Sequence, residues 1–268
     1  MTILSTGDAA EIFLPAVHLH KLKKTEPAGD VNRFKCDGCK EDNGAGVRYT
    51  CTSPACNFDL HTCCAKLAGA RLVHPFDKSI ELKFLYEAPT SENDRRLCDA
   101  CGGKVLGFNY QCGNLNLHPC CAELPALIEK EDLAFELREK ASHKCTGCGG
   151  SGGYMTFWFY RSKCKKYYLH VRCVKEILLG QQLNQLAAAA GSSSSSSSSS
   201  SAAVAAGDVV TTFVKERALE KYKKKMDGET FERILRVVAT VLRVILGVLI
   251  GDPTTLLIAG AAFLPGSG

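Results

Sequence analysis

Between residues 80 and 84 apolar and charged side chains alternate, Ile80-Glu81-Leu82-Lys83-Phe84, which is the period of a strand with one face on a core. Phe157-Trp158-Phe159-Tyr160 reads as another strand with an aromatic core face and matches Gly107-Phe108-Asn109-Tyr110 earlier in the chain. Ile12-Phe13-Leu14 reads as a short packing strand, and Leu124 to Ile128 as a short cover. Toward the C-terminus the period changes. Asp208 to Met226 has helix-forming composition, with Asp208 as a cap and Lys221, Lys223, Lys224 and Lys225 in the last turns, where the dipole favours cations. A second helix starts near Glu229. At helical spacing Arg233, Arg236, Thr240, Arg243 and Gly247 form one polar stripe, and Phe231, Ile234, Leu235, Val238, Val241, Leu242, Ile245 and Leu249 fill the rest. Gly251-Asp252-Pro253 breaks this helix before a short apolar tail, Leu256 to Leu264.

A spanning helix needs about 20 continuous apolar residues, so no clean transmembrane span is expected here. Three readings of the tail stay open. It packs on itself or on a partner, or residues 229–264 lie at a membrane surface with their arginines among the headgroups, or, failing both, the tail packs back on the zinc modules. Upstream, Gln181 to Ala190 leads into the unbroken run Ser192 to Ser201, which has nothing to bury and reads as a flexible tether.

The chain has 268 residues, long enough for two or more domains, with 23% charged and 46% apolar residues. A net charge of +5 does not argue for nucleic acid. The aromatic run 157–160 with Arg161, Lys163, Lys165 and Lys166 could stack and contact phosphate, but a strand with one aromatic core face explains it better. The first ten residues lack the basic start and apolar core of a secretory signal. An intracellular, cytoplasmic or nuclear protein is expected, and in a reducing compartment a disulfide framework is not.

Fifteen cysteines spaced as knuckles change the picture. Cys36-Asp-Gly-Cys39 sets two thiolates on one ion, and Cys56-x4-His61-x2-Cys64 adds three soft ligands at fixed offsets. With Cys51, His74 and either His20 or His18, these make enough N/S ligands for two zinc ions with closed tetrahedral shells. The pattern recurs. Cys98-Asp-Ala-Cys101 precedes Cys112, His118 and Cys121, and Cys145-Thr-Gly-Cys148 precedes His170 and Cys173. His61-Thr-Cys-Cys64-Ala-Lys-Leu and His118-Pro-Cys-Cys121-Ala-Glu-Leu are nearly identical. The later repeats have lost ligands, with Asp77 and Asp132 the nearest substitutes for the early histidine and Glu131 standing where His74 would fall. One or two further ions are therefore expected beyond those of the first repeat. Cys63 and Cys120 read as small packing residues beside ligands, and His143 as a loop residue.

These motifs resemble the plant Cys/His-rich (CHP-rich) zinc-finger family, a divergent relative of the diacylglycerol-binding domain of protein kinase C. The resemblance implies small zinc-stapled α+β modules of short antiparallel strands in tandem. It also implies interleaved sites, Cys36, Cys39, His61 and His74 on one ion and His20 (or His18), Cys51, Cys56 and Cys64 on the other. The expected units are 1–74, 75–131 and 132–180 as zinc modules, 181–207 as linker and 208–268 as helical tail. A role in intracellular signalling or stress response through protein partners follows from the family alone.

No Ser/His/Asp set or phosphate loop appears in the chain, so a non-enzymatic interaction module is expected. Diacylglycerol binding is disfavoured, because the loop between Cys39 and Cys51 is short and polar at its tip and lacks the Gln-Gly pair of the lipid-binding relatives. Thiol-redox catalysis needs a CxxC in a βαβ context that these knuckles lack. The histidines at both ends also depart from the ligand order of a ubiquitin-ligase finger.

Overall fold

The computed structural model describes residues 9–26, 33–42, 44–45, 47–88, 96–130, 133–140, 143–146, 157–173, 175 and 228–250. The serine run, the helix expected over 208–226 and the apolar tail 256–264 lie outside these residues.

Three small antiparallel sheets follow one another. The first takes β1 (Glu11–Ile12), β2 (Leu22–Thr25), β5 (Arg48–Cys51) and β6 (Asp59–His61) in that order, beside a separate pair, β3 (Arg33–Phe34) and β4 (Gly44–Ala45). The second runs β10-β9-β8-β7, from β7 (Leu72–Val73), β8 (Glu81–Leu85), β9 (Asn109–Cys112) and β10 (Leu115–Leu117). The third runs in sequence through β11 (Leu127–Lys130), β12 (Leu133–Arg138), β13 (Phe159–Ser162) and β14 (Tyr168–His170). Residues 72–73 thus pair with the second sheet, although the sequence grouped them with the first module. Alternation in β8 places Leu82 inside, with Glu81 and Lys83 outside.

Each sheet ends in a strand whose last residue is the ligand histidine, or stops one residue short of it, and a turn of helix follows. Thr62–Leu67 is α1 and Pro119–Ala122 is α2. Tyrosines at matching places tie each sheet to the chain ahead of it. The hydroxyl of Tyr49 donates to the Ala9 carbonyl (2.8 Å), that of Tyr110 to Leu67 (2.9 Å), and that of Tyr160 to Pro125 (2.8 Å). Burial, the main cause, pushes the Tyr110 and Tyr160 phenols well above their usual range. Each therefore stays a neutral donor.

The 23-residue helix α3 (Gly228–Ile250) packs on α2 and β11. It buries Val237, Val238, Ala239, Val241, Leu242, Val244, Ile245 and Val248, while Glu232 and Arg236 stay exposed. The sequence left this apolar face open to a partner, a lipid surface or the zinc modules themselves. Its described part is covered by the chain's own second and third modules, in one core with Tyr110, Leu117, Phe135, Trp158 and Tyr160. Among the described residues no helix is long and apolar enough to cross a membrane. The first module has its own core around Leu22, Phe34, Tyr49 and Leu60, into which Phe108 of the second module inserts.

Candidate metal centres

A CxxC knuckle works because its backbone folds back at the residue after the second cysteine. Lys40 and Gly102 occupy that place, with φ of 62° and 70°. Their N–H groups donate to the carbonyls of Cys36 (2.9 Å) and Cys98 (2.7 Å). Glycine adopts this left-handed conformation freely, and lysine does so at a cost. The second residue of each knuckle then docks the strand that carries the histidine. The Asp37 carboxylate accepts from the Asp59 N–H (2.9 Å), Asp99 from the Asn116 N–H (2.7 Å), and the Thr146 hydroxyl from the Tyr168 N–H (3.0 Å). This role was missed from the sequence, although the three side chains stand at the same offset in each repeat.

The ligand atoms of Cys36, Cys39, His61 and Cys64 all lie within 4.8 Å of one another, and all four residues are buried. His61 Nδ1 stands 3.4 Å from Cys39 Sγ and 3.8 Å from Cys64 Sγ. Ligands at zinc–sulfur and zinc–nitrogen distances of about 2.3 and 2.0 Å on a tetrahedron are roughly 3.5–3.8 Å apart. The set therefore fits one closed zinc site. His18, His20, Cys51 and Cys56 form the second set. His18 Nε2 is 3.2 Å from Cys51 Sγ and 3.5 Å from Cys56 Sγ, and His20 Nδ1 is 3.4 Å from Cys51 Sγ. The His18 ring stacks on Phe58 with centroids 4.2 Å apart. Burial, and then His20, lower its pKa, which favours the neutral ring a metal needs.

Cys98, Cys101, His118 and Cys121 make a third buried set. His118 Nδ1 faces Cys101 (3.4 Å) and Cys121 (3.9 Å). Its Nε2 donates to the Lys104 carbonyl at 2.9 Å, which leaves Nδ1 as the free lone pair. Cys145, His170 and Cys173 gather in the third module, with Cys173 Sγ 3.9 Å from Cys145 Sγ and 3.6 Å from His170 Nδ1. Cys148 lies outside the described residues.

The ligands of the first module group differently from the expected pairing. Cys64 joins Cys36, Cys39 and His61, because α1 begins directly after His61 and residues three apart share one face of a helical turn. His118 with Cys121, and His170 with Cys173, repeat this. His74 is in no ligand group among the described residues. Its Nδ1 accepts the Phe76 N–H at 3.2 Å, and its ring meets Phe76 and Trp158 edge-on. The place assigned to it is filled by the third thiolate. The second ion's set uses both His18 and His20 where one of them was expected.

Cys112 is also in no ligand group among the described residues. It stands two residues after Tyr110, as Cys51 does after Tyr49, but the loop that carries Cys56 is reduced to Gly113-Asn114 between paired Cys112 and Leu115. Gly113, at φ 55°, makes that tight turn. In the third module the matching residue is Ser162, whose Oγ accepts the N–H groups of Lys166 (3.2 Å) and Tyr167 (3.0 Å). Hydrogen bonds close this hairpin in place of a metal. Asp77 accepts from Ser79 within its own turn and joins no ligand group among the described residues.

Electrostatics in the Cys3His sets call for a cation. Burial would raise the Cys36 thiol, yet hydrogen bonds from Cys39 and Cys64 outweigh it and hold Cys36 well below the usual range. Burial chiefly pushes Cys39 and Cys64 well up. In the next module the same division falls between Cys101, lowered by hydrogen bonds from Cys121 and Cys98, and Cys121, raised by its hydrogen bonds to those neighbours. One thiolate per set is stabilised by its neighbours' protons. A divalent ion favours all three at once.

Residues 16–65, the segment holding the first two ligand sets, match the family model of the C1 domain. The chain carries a divergent C1-like zinc finger. No curated protein and no solved structure matches it. C1 domains bind zinc, and zinc is the cofactor that the four-ligand sets of this chain fit.

One cysteine pair, grouped with His61 and Cys64, departs from the sequence expectation. Cys63 and Cys120 are joined by a disulfide across 57 residues, with Cα atoms 5.3 Å apart, where packing thiols were expected.

Proposed function

We propose that the chain is a non-enzymatic intracellular scaffold that presents tandem C1-like fingers to protein partners in signalling or stress response. One ion is held by Cys36, Cys39, His61 and Cys64, one by His18, His20, Cys51 and Cys56, and one by Cys98, Cys101, His118 and Cys121. Cys145, His170 and Cys173 hold a fourth. The observation that carries this reading is closure. Three of the four groups supply four protein ligands each, which leaves no position for water or substrate.

A lipid-binding C1 reading has less behind it. The Gly38 carbonyl accepts the Phe108 N–H at 2.9 Å, and a methyl group at Gly38 would stand 2.6 Å from the Phe108 ring. The second module thus covers the knuckle loop of the first.

Cobalt substitution of the full chain tests closure. With Cys145→Ser removing the three-ligand centre, the closed shells keep their visible spectrum when azide is added, whereas an azide-dependent spectrum would mark an open position and overturn the structural role. Proximity labelling in cells tests the scaffold. The wild-type chain should label a set of proteins that Cys98→Ser loses, and identical sets from both would remove the adaptor reading.

A further inference from the structure

Cys63 and Cys120 hold the same place in their modules, two residues past the ligand histidine. Lys66 and Glu123 also match, five residues past it, and they form an ion pair at 2.6 Å. Contact between equivalent residues is the signature of a two-fold arrangement. The turns α1 and α2 therefore meet through equivalent residues, in a pseudo-two-fold manner. Each sulfur sits one residue before the last thiolate of a zinc set, Cys64 on one side and Cys121 on the other. Both cysteines are buried, at 2% and 1% exposure. The covalent link thus joins the backbone turns that position ligands in two different centres.

We propose that Cys63 and Cys120 are a reversible thiol–disulfide site, exchanging with small-molecule disulfides of the glutathione type, and that the link couples zinc retention in the first two modules. It rests on the assignment of the ligand sets to zinc and not on the scaffold role. The step balances. One cysteine sulfur attacks a sulfur of glutathione disulfide, breaks that S–S bond and releases one glutathione thiol. The second cysteine displaces the bound glutathione and closes the 63–120 bond. The two cysteines lose two electrons and two protons, and two glutathione thiols carry them away. In the reverse direction two glutathione thiols open the link.

The competing use of these sulfurs is as metal ligands, since both lie within 4.8 Å of the ligand atoms of His61 and Cys64. The experiment separates the two. Full-length zinc-loaded protein is equilibrated in glutathione buffers of rising disulfide fraction, alkylated, and mapped by mass spectrometry. Zinc release to a chromogenic chelator is followed in parallel. The expected map shows a 63–120 link that grows with the disulfide fraction while the zinc count stays constant. Release from the first two modules should be slower in the linked form than in the phosphine-reduced form by on the order of tenfold, the scale of lost outer-shell support. Cys63→Ala and Cys120→Ala should release zinc at the reduced rate and ignore the phosphine. The wild-type comparison stands even if a variant fails to fold. Free, alkylatable sulfurs at every glutathione ratio would overturn the proposal. So would equal release rates in both forms, or one additional zinc ion per reduced chain with residues 63 and 120 protected.

Discussion

Lys175 is placed to decide how firmly the second module holds its ion. It is 6% exposed and comes two residues after Cys173. Its Nζ donates to the Glu41 carboxylate and stands 3.4 Å from Cys101 Sγ. Glu41 lies 3.6 Å from His118 Nε2. Three modules meet here, Glu41 from the first, Cys101 and His118 from the second, and Lys175 from the third. Burial alone would lower the lysine pKa, but Glu41 and the Cys101 and Cys121 sulfurs outweigh it and keep the ammonium charged. A zinc ion with three thiolates and one imidazole carries a net charge of −1, which a buried ammonium offsets.

Lys175→Met should therefore act through that charge. A hydrogen bond from a charged donor is worth about 1.5–3 kcal/mol, or roughly a 10–100-fold loss in zinc affinity, the range expected when an outer-shell partner is removed. Leaving Glu41 without its partner adds a stability cost of up to about 3–5 kcal/mol, reduced if the carboxylate turns to water. Cadmium-substituted protein read by cadmium-113 NMR gives one resonance per centre, and chelator competition then reports each affinity. The expected result is weaker binding at Cys98, Cys101, His118 and Cys121 alone. Lys175→Arg should keep most of it, and Glu41→Gln should leave it near wild type. Unchanged affinity at that centre in Lys175→Met, or an equal loss at all centres, would refute the reasoning.

Other outcomes follow from the same geometry. Cys64→Ser should lower the zinc count by one in native mass spectrometry, whereas His74→Ala should keep the count and cost only packing, about 1–3 kcal/mol; loss of an ion in His74→Ala would restore the pairing first expected. Ser162→Ala removes the hydroxyl that accepts from the Lys166 and Tyr167 N–H groups, so chemical denaturation should show a loss of about 1–3 kcal/mol with zinc content unchanged. Asp99→Ala removes the acceptor that docks the strand of His118 and should weaken zinc binding at that centre more than Asp37→Ala does, with Asp37→Ala acting on the first module instead.

The knuckles, the tandem repeat and the metal were legible in the sequence, because a tetrahedral thiolate site demands fixed residue types at short, fixed offsets. Cys98, Cys101, His118 and Cys121 were all named, and the structure brings them together. The pairing of the first module was not legible, because it depends on where one helical turn begins. If α1 started a few residues later, Cys64 would leave the face of His61. The fate of the lost ligands was equally hidden. Ser162 and Gly113-Asn114 show as substitutions and a deletion, but only the hydrogen-bonded hairpins explain why no ion is needed there. For α3 the apolar stripe was visible and its covering surface was not, since periodicity tells which face is buried and says nothing about what buries it.

The contacts between modules follow one logic that the ligand pattern conceals. Metal ligands fix the histidine that precedes each short helix and one cysteine within it, and the residues between and beyond them are free to vary. The joints are built from those free positions: Cys63 with Cys120, Lys66 with Glu123, and the lysine just past Cys173 with Glu41 just past the first knuckle. The tyrosines add a second set of ties, since Tyr110 reaches the carbonyl of Leu67 at the end of α1, and Tyr160 that of Pro125 just beyond α2. A chain of independent beads would need none of these. The disulfide and the two ion pairs each lie within two residues of a candidate zinc ligand, so the modules meet beside their metal sets rather than through linkers.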